Sequence, residues 1–275
     1  MSTPTEIPTA RIATIPRAKR SIADLLTTLD RLAQTSPSLI AKPGGTFQIN
    51  GQTYELPRYI FLGANSGDEP IRIGLFAAIH GDEPEGTFAL VQLLGLLEQN
   101  PELAAGYCLF VYPICNPSGF EDNTRHSRRG RDLNREFWNN SKEPEIQLLQ
   151  REIYHHAFHG MVSLHSDDTA DGVYGFVSGA TLTQHLLKPA LDAADLILPR
   201  SQNDIIDGFA AQHGIIREGY QGVLSAPPGV RPLPFEIILE TPQAAPRYQQ
   251  ERALVAALQT ILVEYQKLMA YAPNL

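Results

Sequence analysis

The sequence predicts an α/β protein whose largely parallel or mixed sheet carries helices on both faces. Three observations predict it. The near-continuous apolar runs IRIGLFAAI (71–79) and YCLFVYPI (107–114) read as strands covered on both sides. Segments of helical period stand between such runs. The chain of 275 residues is long enough for one domain of this kind. It can bury roughly three quarters of its unfolded surface and needs neither disulfide nor metal merely to fold.

Taken in order, residues 1–16 contain prolines and show no periodic pattern, and they read as an arm or loose tail. RSIADLLTTLDRLAQ (20–34) has apolar positions at helical spacing, with Ser21 as its N-cap. GGTFQINGQTYEL places an Asn-Gly pair between two alternating segments, a hairpin signal. This gives an N-terminal extension, 1–65, of a helix plus a hairpin packed on the main unit, 66–275. There the strand at 71–79 leads into the amphipathic helix GTFALVQLLGLLEQN, and the strand at 107–114 follows. EPEIQLLQREIYHHAF (143–158) reads as a helix, MVSLH (161–165) as a third strand and VYGFVS as a fourth. The helix TLTQHLLKPALDAA, the strand PFEIILE (234–240) and a closing helix over 247–270 complete the chain. No internal repeat or linker interrupts it.

Composition excludes several classes. With 22 Lys and Arg against 30 Asp and Glu the net charge is −8, which does not suit a general nucleic-acid binder. No apolar run approaches the length of a membrane span. The N-terminus lacks the apolar core of a secretion signal, and a cytoplasmic location is expected. Cys108 and Cys115 are an odd number of residues apart, hence on opposite faces of a strand. They read as buried thiols of a reducing compartment. One local exception stands out. Between Arg125 and Arg135 lie five arginines and one acid, Asp132, a window of +4 in a chain whose remainder carries −12.

In open α/β sheets, ligands gather beyond the carboxyl ends of the strands. The residues there are His80-Gly81-Asp82-Glu83, Asn116-Pro117-Ser118-Gly119, His165-Ser166-Asp167 and Glu240. Two histidines and at least two carboxylates therefore meet at one sheet edge. A catalytic zinc site commonly takes three protein ligands, often two His and one Glu, and keeps a fourth position for water. His80 and Glu83 have HxxE spacing on a strand-to-helix turn. This differs from the helical HExxH arrangement, so the third ligand must come from far along the chain, and His165 is the candidate. HxxE alone is a weak pattern; the ordered set is what carries the reading. Glu240 is then free to act as general base.

HGDE, NPSG, RRGRDLNREF, LHSD and a terminal-strand carboxylate in EIILETP occur in this order over residues 70–245. In this the sequence resembles the zinc carboxypeptidase superfamily, which includes metallocarboxypeptidases, aspartoacylase and succinylglutamate desuccinylase. The resemblance implies a three-layer α/β/α sandwich around a mixed, mainly eight-stranded sheet, with one zinc ion per chain. By the matching motifs His80, Glu83 and His165 are the zinc ligands and Glu240 the catalytic glutamate. Asn134 and Arg135 grip the substrate's free carboxylate. Arg129, judged from RGRDLNR against the family's common RGVDLNR, polarises the scissile carbonyl, with Arg128 in reserve. Tyr220, in GYQG, resembles the mobile tyrosine of many carboxypeptidases. Two departures stand against the pattern. Glu136 replaces the usual Asn after DLNR, and Glu236 shares a strand face with Glu240.

Three functions follow. The first is a zinc metallocarboxypeptidase acting on a small peptide with a free carboxylate. The second is an N-acyl amino acid deacylase, whose multiply charged substrates would suit surplus arginines. The third is a non-catalytic binding module on the same fold. Neither nucleic acid nor membrane is an expected partner.

Overall fold

The computed structural model describes residues 19–231 and 233–271; the segment read as an arm lies outside them. Ser21 caps α1 (Ile22–Thr35), its side chain accepting the Asp24 N–H at 3.1 Å, as a short hydroxyl at this position should. β1 (Leu39–Ala41) follows, then the hairpin β2 (Gly45–Ile49) and β3 (Gln52–Leu56). Asn50 and Gly51 turn it with φ of +50° and +80°, the left-handed pair whose twist matches the flanking strands. β4 (Tyr59–Leu62) leads to the central winding: β5 (Ile71–Ala77), α2 (Glu85–Gln99), β6 (Tyr107–Tyr112), α3 (Pro117–Asp122), α4 (Pro144–His156) and β7 (Gly160–Asp167). β8 (Tyr174–Val177) precedes a helical stretch formed by α5 (Ala180–Leu182), a π turn at Thr183–Leu187 and α6 (Lys188–Asp195). The short strands β9 (Ile205–Ile206), β10 (Phe209–Gln212) and β11 (Ile215–Ile216), then β12 (Phe235–Pro242) and α7 (Arg247–Tyr271), end the fold.

The main sheet runs β1-β4-β6-β5-β7-β12-β8-β11-β10-β9, ten strands, mixed as expected. Its centre, β6-β5-β7-β12, is all parallel, and the antiparallel pairs lie outside it. The strands at both ends are short. β1, β4 and β9 to β11 span two to four residues each, too few to show a period, so tertiary pairing rather than local pattern defines them. Through β1 and β4 the described part of the N-terminal region, 19–65, joins the same sheet.

One face of the sheet is covered by α1, α2, α6 and α7. Leu90, Leu93, Leu94 and Leu97 of α2 have no exposed surface, and each contributes about 2 kcal/mol of transfer free energy. The other face is covered by α4 and the chain around Leu133 and Phe137, packed over Phe76 and Tyr112, whose rings stack at 4.8 Å. Cys108 and Cys115 are buried and free.

The winding direction reverses at β5. From there α2 carries the chain to β6 on one side, and α4 returns it to β7 on the other. Strand ends diverge at such a reversal and leave a crevice.

Candidate metal centre and substrate cavity

The crevice holds the predicted constellation. Ala78, at the end of β5, has φ +50°, an uncommon conformation for a residue with a Cβ, and there the chain leaves the strand. His80 and Glu83 lie on the turn that follows, before α2. His165 sits near the end of β7, and Glu240 pairs with it in register on the neighbouring parallel strand β12. Sequence-distant residues are thus set side by side by strand pairing.

The Nδ1 atom of His80 is 2.7 Å from Glu83 Oε1, and Nδ1 of His165 is 2.9 Å from Glu83 Oε2. One ligand atom from each of the three residues lies within 4.8 Å of the others, and all three side chains are buried. Two imidazoles and a carboxylate match the donor set of a zinc site with an open position. The outer ring nitrogens are held as well. His80 Nε2 lies 3.2 Å from Asp132 Oδ1, and His165 Nε2 lies 3.0 Å from Ser163 Oγ. Such contacts fix ring orientation and tautomer.

Electrostatics keep Glu83 ionised. Burial pushes its carboxyl up, but His165 and His80 outweigh this and hold it at about 2. Burial drives His165 down; for His80 it pulls the same way but is overcome by Glu83 and Asp132, so that ring is raised. Glu240 is pushed well above the ordinary carboxylate range, first by burial and then by the charges of Glu83, Asp167 and Asp207. Its strand neighbour Glu236 is turned to another task and accepts the Ala226 N–H at 2.6 Å.

A cavity of about 330 Å³ opens over this centre. His80, Glu83, His165 and Glu240 line it together with Asn134, Arg135 and Tyr220. Asn134 Oδ1 accepts the Leu224 N–H at 2.9 Å, which leaves its amide donors for the cavity. Arg135 lies over the Tyr220 ring, 4.2 Å from its centroid, and Tyr220 donates its hydroxyl to the Asp207 carbonyl at 2.9 Å.

Arg129 does not reach the cavity, and its expected place there is corrected. It stands exposed at the tip of a reverse turn closed by Gly130 N–H to the Ser127 carbonyl at 2.7 Å and Ser127 N–H to the Arg131 carbonyl at 2.8 Å. Its guanidinium donates to the Lys142 carbonyl at 3.3 Å. The reserve candidate, Arg128, is held on the outer side by Asp122, Glu121 and the Tyr54 hydroxyl. Besides Arg135, the arginine of the basic window that lines the cavity is Arg125, just before the turn. It donates to Asp132 Oδ2 at 3.2 and 3.1 Å and approaches Glu83 Oε1 at 3.6 Å. The Ser-Arg-Arg-Gly stretch was the available signal, since Gly130 has φ +78° and Ser and Gly favour such turns. Asp132, the lone acid of the basic window, was also passed over as a support of His80. Glu136 faces away and accepts the Ser141 hydroxyl at 2.7 Å.

The mixed sheet with its crevice has the fold of solved carboxypeptidases, the metallo-carboxypeptidase from Burkholderia cenocepacia and the carboxypeptidase A from Helicoverpa armigera among them. Residues 71–200 match the family model of the succinylglutamate desuccinylase/aspartoacylase catalytic domain. Among solved structures, a candidate metallopeptidase from Shewanella denitrificans superposes with a TM-score of 0.74 at 19% identity, covering 88% of this chain and 89% of that one. A second, from Shewanella amazonensis, gives 0.74 at 22% identity, covering 88% and 92%. A metallo-carboxypeptidase from Pseudomonas aeruginosa, in complex with (2-guanidinoethylmercapto)succinic acid, gives 0.63 at 18% identity, covering 91% and 70%. These likenesses establish the fold. No curated protein matches the chain by sequence.

Proposed function

We propose that this chain is a zinc-dependent hydrolase of an amide bond next to a free carboxylate, a metallocarboxypeptidase in reaction type. The observation that carries the reading is the convergence in one cavity of the His80–Glu83–His165 donor set, Glu240, and the anion-binding pair Asn134 and Arg135. Zinc held by those three residues would supply Lewis acidity, bringing a water near pKa 7 and polarising the carbonyl. Arg135, with its planar fork, binds the terminal carboxylate, and Asn134 adds amide donors beside it. Tyr220 stacks under Arg135 and closes that side. Glu240 receives a proton from the attacking water and passes it to the leaving amine. Arg125 replaces Arg129 as the oxyanion-stabilising arginine, because it lines the cavity next to Glu83 and carries a charge that cannot be lost.

The second reading, an N-acyl amino acid deacylase, is favoured by the family match over residues 71–200. Charge inside the cavity speaks for the peptidase. Of the five arginines in the basic window, only Arg125 and Arg135 line the cavity, and Arg125 is already engaged with Asp132. Asp82, Asp167, Asp168 and Asp207 line the walls as well. A substrate with a second carboxylate meets repulsion there, whereas a peptide bearing one carboxylate and an amine does not. The test is a hydrolysis panel with zinc-loaded protein. Release of C-terminal residues from peptides supports the peptidase; turnover confined to acyl-aspartate or succinyl-glutamate-like compounds selects the deacylase. A protein that takes up no zinc and hydrolyses neither set sinks both.

A further inference from the structure

The loop bearing two of the three candidate ligands, His80-Gly81-Asp82-Glu83, is gripped at its glycine from several sides. The Gly81 N–H donates to the Arg125 carbonyl at 3.3 Å. A Cβ on Gly81 would lie 2.0 Å from the Gly119 carbonyl carbon and 2.3 Å from the Phe120 nitrogen, so the loop sits flush on α3. The remaining backbone group, the Gly81 carbonyl, accepts from Arg20 Nη1 at 2.7 Å. Arg20 comes from the N-terminal segment, just before α1. Its own N–H donates to the Glu121 carbonyl at 2.9 Å, and its guanidinium lies 5.2 Å from the centroid of the Phe120 ring. One side chain therefore bridges α3 and the ligand loop.

We propose that Arg20 is a positioning residue for the metal centre, through which the N-terminal segment supports the His80–Glu83 loop. The inference rests on His80, Glu83 and His165 being the metal ligands. Gly81 follows His80 directly and precedes Glu83 by two, so rotation of its peptide turns both ligand side chains. A charge-assisted hydrogen bond to the Gly81 carbonyl resists that rotation. Supports one contact removed from a metal commonly change its affinity by about 10–100-fold. Arginine suits the task because its several donors can serve the carbonyl while its charge lies over the Phe120 ring.

The test compares the full wild-type chain with Arg20→Gln and Arg20→Lys. Three quantities are measured: zinc affinity by competition with a chromophoric chelator, amide hydrogen exchange over residues 79–85 in zinc-free protein, and the thermal midpoint of zinc-free protein. In Arg20→Gln, zinc binding should weaken by about tenfold. Exchange over 79–85 should accelerate while β12 and α7 keep their protection, and the midpoint should fall by no more than about 4 °C. Arg20→Lys should recover part of the affinity. Zinc affinity within twofold of wild type in Arg20→Gln overturns the inference, as does accelerated exchange spread evenly over the whole molecule. Wild-type protein that takes up no zinc overturns the reading of the site, and this inference with it. Tight wild-type zinc binding with an unchanged variant overturns the inference alone.

Discussion

Arg125 and Arg128 are three residues apart on one loop and carry the same charge, yet they serve opposite sides of the protein. Arg125 faces the cavity, pairs with Asp132 and comes within 3.6 Å of Glu83. Arg128 faces the hairpin and α3, where Asp122, Glu121 and Tyr54 hold it. The turn between Ser127 and Arg131 separates them: Arg125 precedes it and points to the candidate metal centre, whereas Arg128 lies within it and points out. A run of like charges in sequence therefore divides into a functional and a structural pair of roles. The position of the opposing carboxylates decides which is which.

That contrast yields predictions, taken from the largest effect down. Glu240→Gln keeps the geometry and removes the base, so kcat should drop by about 10²–10⁴-fold with zinc content unchanged. Metal analysis beside steady-state kinetics checks this, and full turnover in the variant would remove Glu240 from the mechanism. Arg125→Ala should lower kcat by about 10²–10³-fold, as loss of an oxyanion donor does. If Arg129→Ala proves the more damaging of the two, the assignment by cavity position is wrong. Arg135→Ala should act on binding, raising KM by about 10–100-fold with a smaller change in kcat, because the carboxylate is held in ground and transition states alike.

For the outward arginine the effect moves from catalysis to stability. Arg128→Ala should cost about 1–2 kcal/mol, read by denaturant unfolding, with kcat/KM within a few-fold of wild type. Its pH dependence has a definite sign. Hydrogen bonding from Arg128 holds the Asp122 carboxyl below its ordinary value. The stability this adds is present above the ordinary carboxylate pKa and is lost as pH falls through that range toward the folded-state value. The wild-type advantage over Arg128→Ala should therefore be widest near neutrality and shrink below about pH 4. Arg129→Ala should do least, within about 0.5 kcal/mol in stability and twofold in kcat/KM, since an exposed side chain at a turn tip meets mostly water.

The parts of the site legible in the sequence share a feature: each side chain follows a strand or turn whose local pattern is strong. His80 and Glu83 follow the apolar run of β5, His165 ends another, and Glu240 ends the last. Ser21 and the Asn50-Gly51 pair were readable for the same reason, since a cap and a two-residue turn are set by near neighbours. Arg129 was misplaced because a tight turn reverses direction within three residues, and motif spacing does not report which arm faces inward. The roles of Asp132 and Arg125 depend on a contact closed across that turn. Of the surplus arginines read as suiting a multiply charged substrate, Arg128 spends its charge on Glu121 and Asp122 instead, and Arg131 lies 4.0 Å from Glu136.

By itself the sequence determined the α/β alternation, the strands of the parallel core, the capped first helix, the hairpin and the edge at which chemistry would gather. Those follow from periodicity and from neighbours a few residues away. Only the tertiary structure decided the ten-strand order, the alignment of Glu240 beside His165, the inward turn of Arg125 and the reach of Arg20 to the Gly81 carbonyl. These join residues tens of positions apart, or opposite arms of one turn. Their geometry is set by pairing and packing of whole elements, which no local pattern encodes.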